Sequence, residues 1–164
     1  MALATTPSDR YLRPGWFTKH VVNRLARRLA RLGLSPKGLR LLSVRGRRSG
    51  EWRTTAVNLL DLDGQQYLVA PRGVTEWVRN IRVAGGGELR VGRTVEAIEV
   101  DEVADADKPE VLREYLRRWK AEVRMFFDGI DEGATDAQLL EVAPGFPVFV
   151  VRAATRPARP DARR

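Results

Sequence analysis

Two glycines four residues apart, set between apolar and β-branched segments, constrain this chain more than any other feature. The stretch Leu42 to Thr55 reads as a strand, a sharp bend and a second strand, with Gly46 and Gly50 bracketing Arg47, Arg48 and Ser49. Glycine relaxes the backbone where it must turn tightly or approach a ligand closely. A hairpin commits its neighbours to antiparallel pairing, and further hairpin signals follow. Asp63-Gly64 separates Thr54–Leu62 from Gln65–Ala70, and Gly92-Arg93 separates Glu88–Val91 from Thr94–Val100. Pro147–Arg152 supplies a last apolar strand. Consecutive strands with short links and no βαβ alternation predict an antiparallel sheet that curls into a small barrel.

Three helices are expected around that barrel. Trp16, Phe17, Val21, Val22, Leu25, Leu29 and Leu32 fall at helical spacing, with Arg24, Arg27, Arg28 and Arg31 on another face. Such a helix 16–32 packs on the core, or lies on an anionic bilayer as a peripheral membrane contact. A short helix spans Thr75 to Arg82, with Thr75 as its cap. A long one runs from Glu110 to about Phe127, announced by Asp105, Asp107 and Pro109. Asp136–Val142 adds a further short helix, and Gly85-Gly86-Gly87 reads as a flexible break. The fold class is α+β. Residues 1–12 are expected to be flexible, 13–153 to form one domain, and 154–164, rich in Pro, Arg and Asp, to be disordered.

Composition removes several chemistries. The 164 residues include no cysteine and a single histidine, His20. Disulfides, thiolate nucleophiles and multi-imidazole metal sites are excluded, so no metal site is expected. GxGxxG and the P-loop are both missing, which argues against a Rossmann or Walker-type nucleotide site. No apolar run approaches membrane-spanning length, and a cytoplasmic protein, with the helix 16–32 as a route to membrane association, is expected. The formal charge of +8 is uneven: residues 1–50 hold 12 Lys and Arg against one acid, a balance of +11, and the rest hold 17 against 20, a balance of −3. The anionic partner is therefore expected at the N-terminal third. It could be a nucleic acid, an anionic membrane or a polyanionic cofactor. The aromatics are not interleaved with the basic residues of the first helix, and no nucleic-acid-binding motif occurs, so nucleic acid is the least favoured.

The bend itself is a cradle for an anion. Arg47, Arg48 and Arg53 supply planar charged donors, Ser49 a hydroxyl, and the turn frees backbone N–H groups; a solvated basic hairpin is the alternative. Pro71-Arg72-Gly73 forms a second basic turn, and Trp77, Asn80 and Ile81 lie on the short helix that follows it.

Gly46-Arg47-Arg48-Ser49-Gly50, then Arg53-Thr54-Thr55, then Leu68-Val69-Ala70-Pro71-Arg72-Gly73, then Trp77-Val78-Arg79-Asn80-Ile81 together resemble the deazaflavin-dependent nitroreductase and quinone reductase family. Its members are split β-barrel, FMN-binding-like proteins that use coenzyme F420. The resemblance spans roughly Trp16 to Val100; it departs at Ala56, where the family usually carries a proline. It implies an oxidoreductase that passes a hydride from the reduced deazaflavin to a quinone, enone or nitro acceptor. A coenzyme-binding protein without turnover, and FMN in the same barrel, are the alternatives. Cofactor contacts are then expected across Gly46, Arg47, Arg48, Ser49, Gly50, Glu51, Trp52, Arg53, Thr54 and Thr55, across Leu68, Val69, Ala70, Pro71, Arg72 and Gly73, and at Trp77, Val78, Asn80 and Ile81. The arginines and Ser49 would grip the phosphodiester, and Val69 to Pro71 would line the ring. Tyr115 is the candidate proton donor, with helix packing as its alternative role. The cofactor carries the chemistry, so a chain with one histidine and no cysteine suffices. A monomer or homodimer is expected.

Overall fold

The computed structural model describes residues 38–155. The expected helix over 16–32 and both expected terminal segments fall wholly or largely outside that range.

Six antiparallel strands close into a barrel in the order β1-β2-β3-β6-β5-β4. They are β1 (Leu39–Arg45), β2 (Trp52–Leu62), β3 (Gln65–Val69), β4 (Gly86–Val91), β5 (Thr94–Glu102) and β6 (Val148–Ala153). Closure leaves no open sheet edge. The registers assign the turns to two ends. Arg45 pairs with Trp52 and Gly86 with Glu99, so the Gly46–Gly50 bend and the start of β4 share one end. Val91 pairs with Thr94 and Leu62 with Gln65, which puts the Gly92-Arg93 and Asp63-Gly64 turns at the other.

Strand alternation divides the core in two. Leu42, Val44, Val57, Leu59, Leu68, Leu89, Ile98, Phe149 and Val151 face the barrel interior. Their neighbours Leu60, Val69 and Val148 face outward into a second cluster. Helix α1 (Glu76–Ala84) inserts Val78 and Ile81, both fully buried, into the interior cluster and plugs the barrel. Helices α2 (Pro109–Val123) and α3 (Asp136–Val142) cover the outer cluster through Val111, Leu112, Tyr115, Leu116, Trp119 and Leu139. The α+β small barrel expected from the hairpin signals is the fold observed.

Three local expectations need correction. The triple glycine is not a flexible break. Gly85 caps α1 in the left-handed region (φ 69°), and Gly86 and Gly87 are strand residues packed against neighbouring backbone. A Cβ on Gly86 would lie 2.2 Å from the Ile98 carbonyl oxygen, and one on Gly87 2.4 Å from that of Ser43. The long helix ends at Val123 rather than near Phe127; a 3₁₀ turn (Arg124–Phe126) follows. That tightening turns Phe127 inward to stack on Phe146, with ring centroids 4.1 Å apart. Thr75 occupies the N-cap of α1, but its side chain makes no capping hydrogen bond.

Thr135, by contrast, caps α3 through a full capping box: its hydroxyl accepts from the Gln138 N–H, and the Gln138 side chain accepts from the Thr135 N–H. Thr135→Ala is expected to lower stability by about 1 kcal/mol, read as a lower urea midpoint at unchanged slope.

Candidate functional site

The Gly46–Gly50 bend is a closed turn. The Gly46 N–H donates to the Glu51 carbonyl at 2.8 Å, and the Gly50 N–H donates back to the Gly46 carbonyl at 2.8 Å. Geometry demands glycine at Gly50, with φ 69°, and favours it at Gly46, where a Cβ would sit 2.8 Å from Ser49 Oγ and 3.3 Å from the Glu51 carbonyl oxygen. The Glu51 N–H donates to Ser49 Oγ at 3.2 Å, which fixes the hydroxyl at the tip. Arg45 braces the turn from below: its Nη1 donates to the Gly50 carbonyl at 2.8 Å, and its guanidinium lies 4.4 Å from the centre of a Trp52 ring.

The turn is tied to the plugging helix. Arg47 donates twice to Asn80 Oδ1, from its backbone N–H at 3.2 Å and from Nη1 at 2.9 Å. The same Nη1 donates to Glu76 Oε2 at 2.8 Å. Asn80 is 5% exposed, one of two buried polar residues among those described. Its carbonyl thus holds the turn against α1. Glu76, at the first position of that helix, also accepts from Arg79 Nη1 at 2.7 Å. The two guanidiniums, Arg47 first, keep the Glu76 carboxyl below the usual carboxylate range.

What remains at the tip suits an anion. Arg48 and Arg53 are exposed and make no ion pair with any described residue, and the Arg48 and Ser49 N–H groups donate to no described residue. The N-terminus of α1 lies alongside through Glu76 and carries no side-chain cap, and the buried Thr75 hydroxyl makes no hydrogen bond among the described residues. Free N–H groups, a helix N-terminus and unpaired guanidiniums are the donor set that phosphate and carboxylate groups require. The residues present therefore fit a ligand with an anionic arm.

The second basic turn closes the same end. The Ala70 N–H donates to the Pro147 carbonyl at 2.9 Å, and the Gly73 N–H to the Ala70 carbonyl at 3.1 Å, with Gly73 at φ 81°. Pro71 and Arg72 are half-buried. Trp77 is half-buried and lies against Phe149, centroids 5.8 Å apart. The remaining residues expected at the site divide by face. Leu68, Val78 and Ile81 belong to the interior cluster and Val69 to the outer one, so their side chains support the site from behind. Thr54 lies on the outer face, its hydroxyl 2.8 Å from that of Ser43; Glu51 is exposed and Thr55 half-buried.

Tyr115 is placed elsewhere. It is buried against Trp119, ring centroids 4.8 Å apart, and bonds Asn58. Asn58 lies six residues along β2 from Trp52, roughly 20 Å at strand rise. Burial raises the Tyr115 pKa, against the smaller opposing effect of the Asn58 hydrogen bond. Two residues outside the expected set prove central, Arg45 and Glu76. Arg45 directly precedes the first glycine, the one sequence cue to its bracing role; Glu76 shows as a partner of Arg47 once α1 is placed against the turn. Among the described residues no helix is long and apolar enough to cross a membrane, and no group of three or more His, Asp or Glu could hold a metal.

A closed six-stranded antiparallel barrel, plugged by one short helix and bearing a cationic glycine-flanked turn beside it, defines the class: a small α+β barrel with an anion-suited end. The family model for F420H(2)-dependent quinone reductase matches residues 16–129, well over half of the sequence. The chain belongs to that family, and coenzyme F420 is the cofactor this supports. No curated protein matches the sequence. Among solved structures, the protein Atu2129 from Agrobacterium tumefaciens str. C58, of unknown function, is similar at 16% identity and TM-score 0.53. The match covers 88% of this chain but 58% of that one. A structure described as a domain-swapped dimer is similar at 16% identity and TM-score 0.51, covering 79% of this chain and 95% of its own. An F420-H2 dependent reductase (FDR-A) aligns at 17% identity and TM-score 0.48, over 71% of this chain and 95% of its own. The first two similarities establish fold alone.

Proposed function

We propose that this chain is an F420-dependent oxidoreductase acting on a quinone, with enones and nitro compounds as further acceptors, and that the anionic arm of the coenzyme is held in the Gly46–Gly50 turn. When bound, the reduced deazaflavin would supply a hydride to an electron-poor acceptor. The protein's part is to bind, orient and shield. Arg48 and the N–H groups of Arg48 and Ser49 take the phosphodiester, with Arg53 and Arg72 adding positive potential and the N-terminus of α1 a favourable dipole. Arg47, clamped by Asn80, fixes where that grip sits. The backbone of Val69 to Pro71 and the Trp77 ring form the wall for the flat head. Leu68, Val78 and Ile81 fill the barrel behind this wall and keep it from collapsing. Tyr115 enters as a packing residue rather than as the proton donor.

The observation that carries this reading is the tip of the turn: among the described residues the Arg48 and Arg53 cations have no ion-pair partner and the Arg48 and Ser49 N–H groups make no hydrogen bond, and Arg47 ties this turn to the uncapped start of α1. Steady-state oxidation of the reduced coenzyme, followed with menadione, a panel of enones and a nitroaromatic compound, tests it. Saturable turnover with the quinone is expected. Binding of the coenzyme with no acceptor oxidising it above the buffer rate would make the chain a carrier instead.

A further inference from the structure

The Arg47 guanidinium is already engaged by a carboxylate. Its Nη1 lies 2.8 Å from Glu76 Oε2, while Asn80 Oδ1 accepts from the same nitrogen and from the Arg47 backbone. The two partners differ in permanence. Asn80 is buried and bonds the turn's own backbone, so it holds Arg47 in place. Glu76 is a surface residue, its side chain 62% exposed against 23% for Arg47. Its other oxygen is held by Arg79 at 2.7 Å, from one turn further along the same helix. The carboxylate thus bridges a guanidinium of the cradle and a guanidinium outside it. Among the described residues no other carboxylate is shown bonding an arginine of the turn.

We propose that Glu76 is a specificity-determining residue that occupies Arg47 until a stronger anion displaces it, with Arg79 retaining the displaced carboxylate. The inference rests on the cradle being the anion site. Release costs little on the Glu76 side. The pair is exposed, a second cation remains bonded, and the carboxylate stays at the positive end of α1. Arg47 stays put because Asn80 does not let go. A ligand must then outcompete one carboxylate for this guanidinium. A phosphodiester followed by further carboxylates offsets that small cost more readily than a singly charged ligand does. Glu76 therefore limits affinity while sharpening selection for a polyanionic arm.

The test is a set of titrations of the wild type, Glu76→Gln, Arg79→Ala and the double variant. Oxidised coenzyme F420 is read by its fluorescence, and inorganic pyrophosphate by calorimetry. Glu76→Gln is expected to bind both ligands about two- to fivefold more tightly, the reach of an exposed ion pair. Arg79→Ala is expected to bind more weakly by a similar factor, because Glu76 then falls back on Arg47 alone. The double variant is expected to lose most of the Arg79→Ala penalty, since Arg79 bears on Arg47 through Glu76. An unchanged or weaker Glu76→Gln overturns the inference, as does a double variant in which the two effects add. Should the wild type fail to bind the coenzyme while pyrophosphate binding still tightens in Glu76→Gln, the inference stands and the coenzyme reading falls. Failure of every variant to bind either ligand overturns both.

Discussion

Arg48→Ala is expected to weaken binding of coenzyme F420 by about ten- to hundredfold, with stability unchanged. Arg48 sits at the exposed tip of the Gly46–Gly50 turn and bonds nothing in the described protein, so its loss leaves the fold alone. In the complex the same guanidinium would face a phosphodiester with water excluded. Losing one such charge-assisted contact costs about 1.5–3 kcal/mol, which is the stated range in affinity. Arg93→Ala is the control for bulk charge. It is equally exposed and equally cationic, but its turn joins β4 to β5 at the opposite end of the barrel. Less than a twofold change is expected there at about 0.15 M ionic strength, where screening acts within roughly 8 Å. Equal effects at the two positions would mean that net charge, not the cradle, holds the coenzyme.

Gly86→Ala is expected to destabilise the protein by about 3 kcal/mol or more, a large share of ordinary domain stability. The added Cβ would fall 2.2 Å from the Ile98 carbonyl oxygen and 3.2 Å from Glu99 Cα. Both obstacles are backbone, and no rotamer relieves them. Relief requires β4 to part from β5 where Gly86 pairs with Glu99, next to the end of the barrel that carries the site. Gly85→Ala is the informative comparison. Gly85 has φ 69° but nothing within 4 Å of an added Cβ, so about 1 kcal/mol of left-handed strain is expected. Urea unfolding of the two variants measures the contrast, and similar midpoints would mean that β4 does not pack as described.

That pair of glycines also marks where sequence reading ran out. The hairpins were legible because their signals are local: Asp63-Gly64 and Gly92-Arg93 sit between apolar segments, and each turn lies where those residues require it. Closure of the barrel was legible only as a tendency. It depends on β1 meeting β4, a pairing of Leu42 with Leu89 across nearly fifty residues that no local pattern announces. Gly86 and Gly87 look like a spacer for the same reason, since the backbone they accommodate belongs to β5 and β1. At the site, the arginines, Ser49 and the two glycines of the turn could be read directly, because charge and backbone freedom are properties of residues. Partnership could not. Asn80 reads as offering both an acceptor and donors, but nothing local says that its carbonyl takes Arg47, nor that Glu76 reaches the same guanidinium. Tyr115 has helical spacing under either role, and its burial beside Asn58 favours packing.

A crystal structure of the protein with coenzyme F420 bound measures the central claim directly. The account predicts the phosphodiester within hydrogen-bond distance of the Arg48 and Ser49 N–H groups and of the Arg48 guanidinium, with the deazaflavin head running toward Ala70 and Trp77. A phosphodiester lodged at the Gly92-Arg93 end, or anywhere away from the Gly46–Gly50 turn, would contradict it.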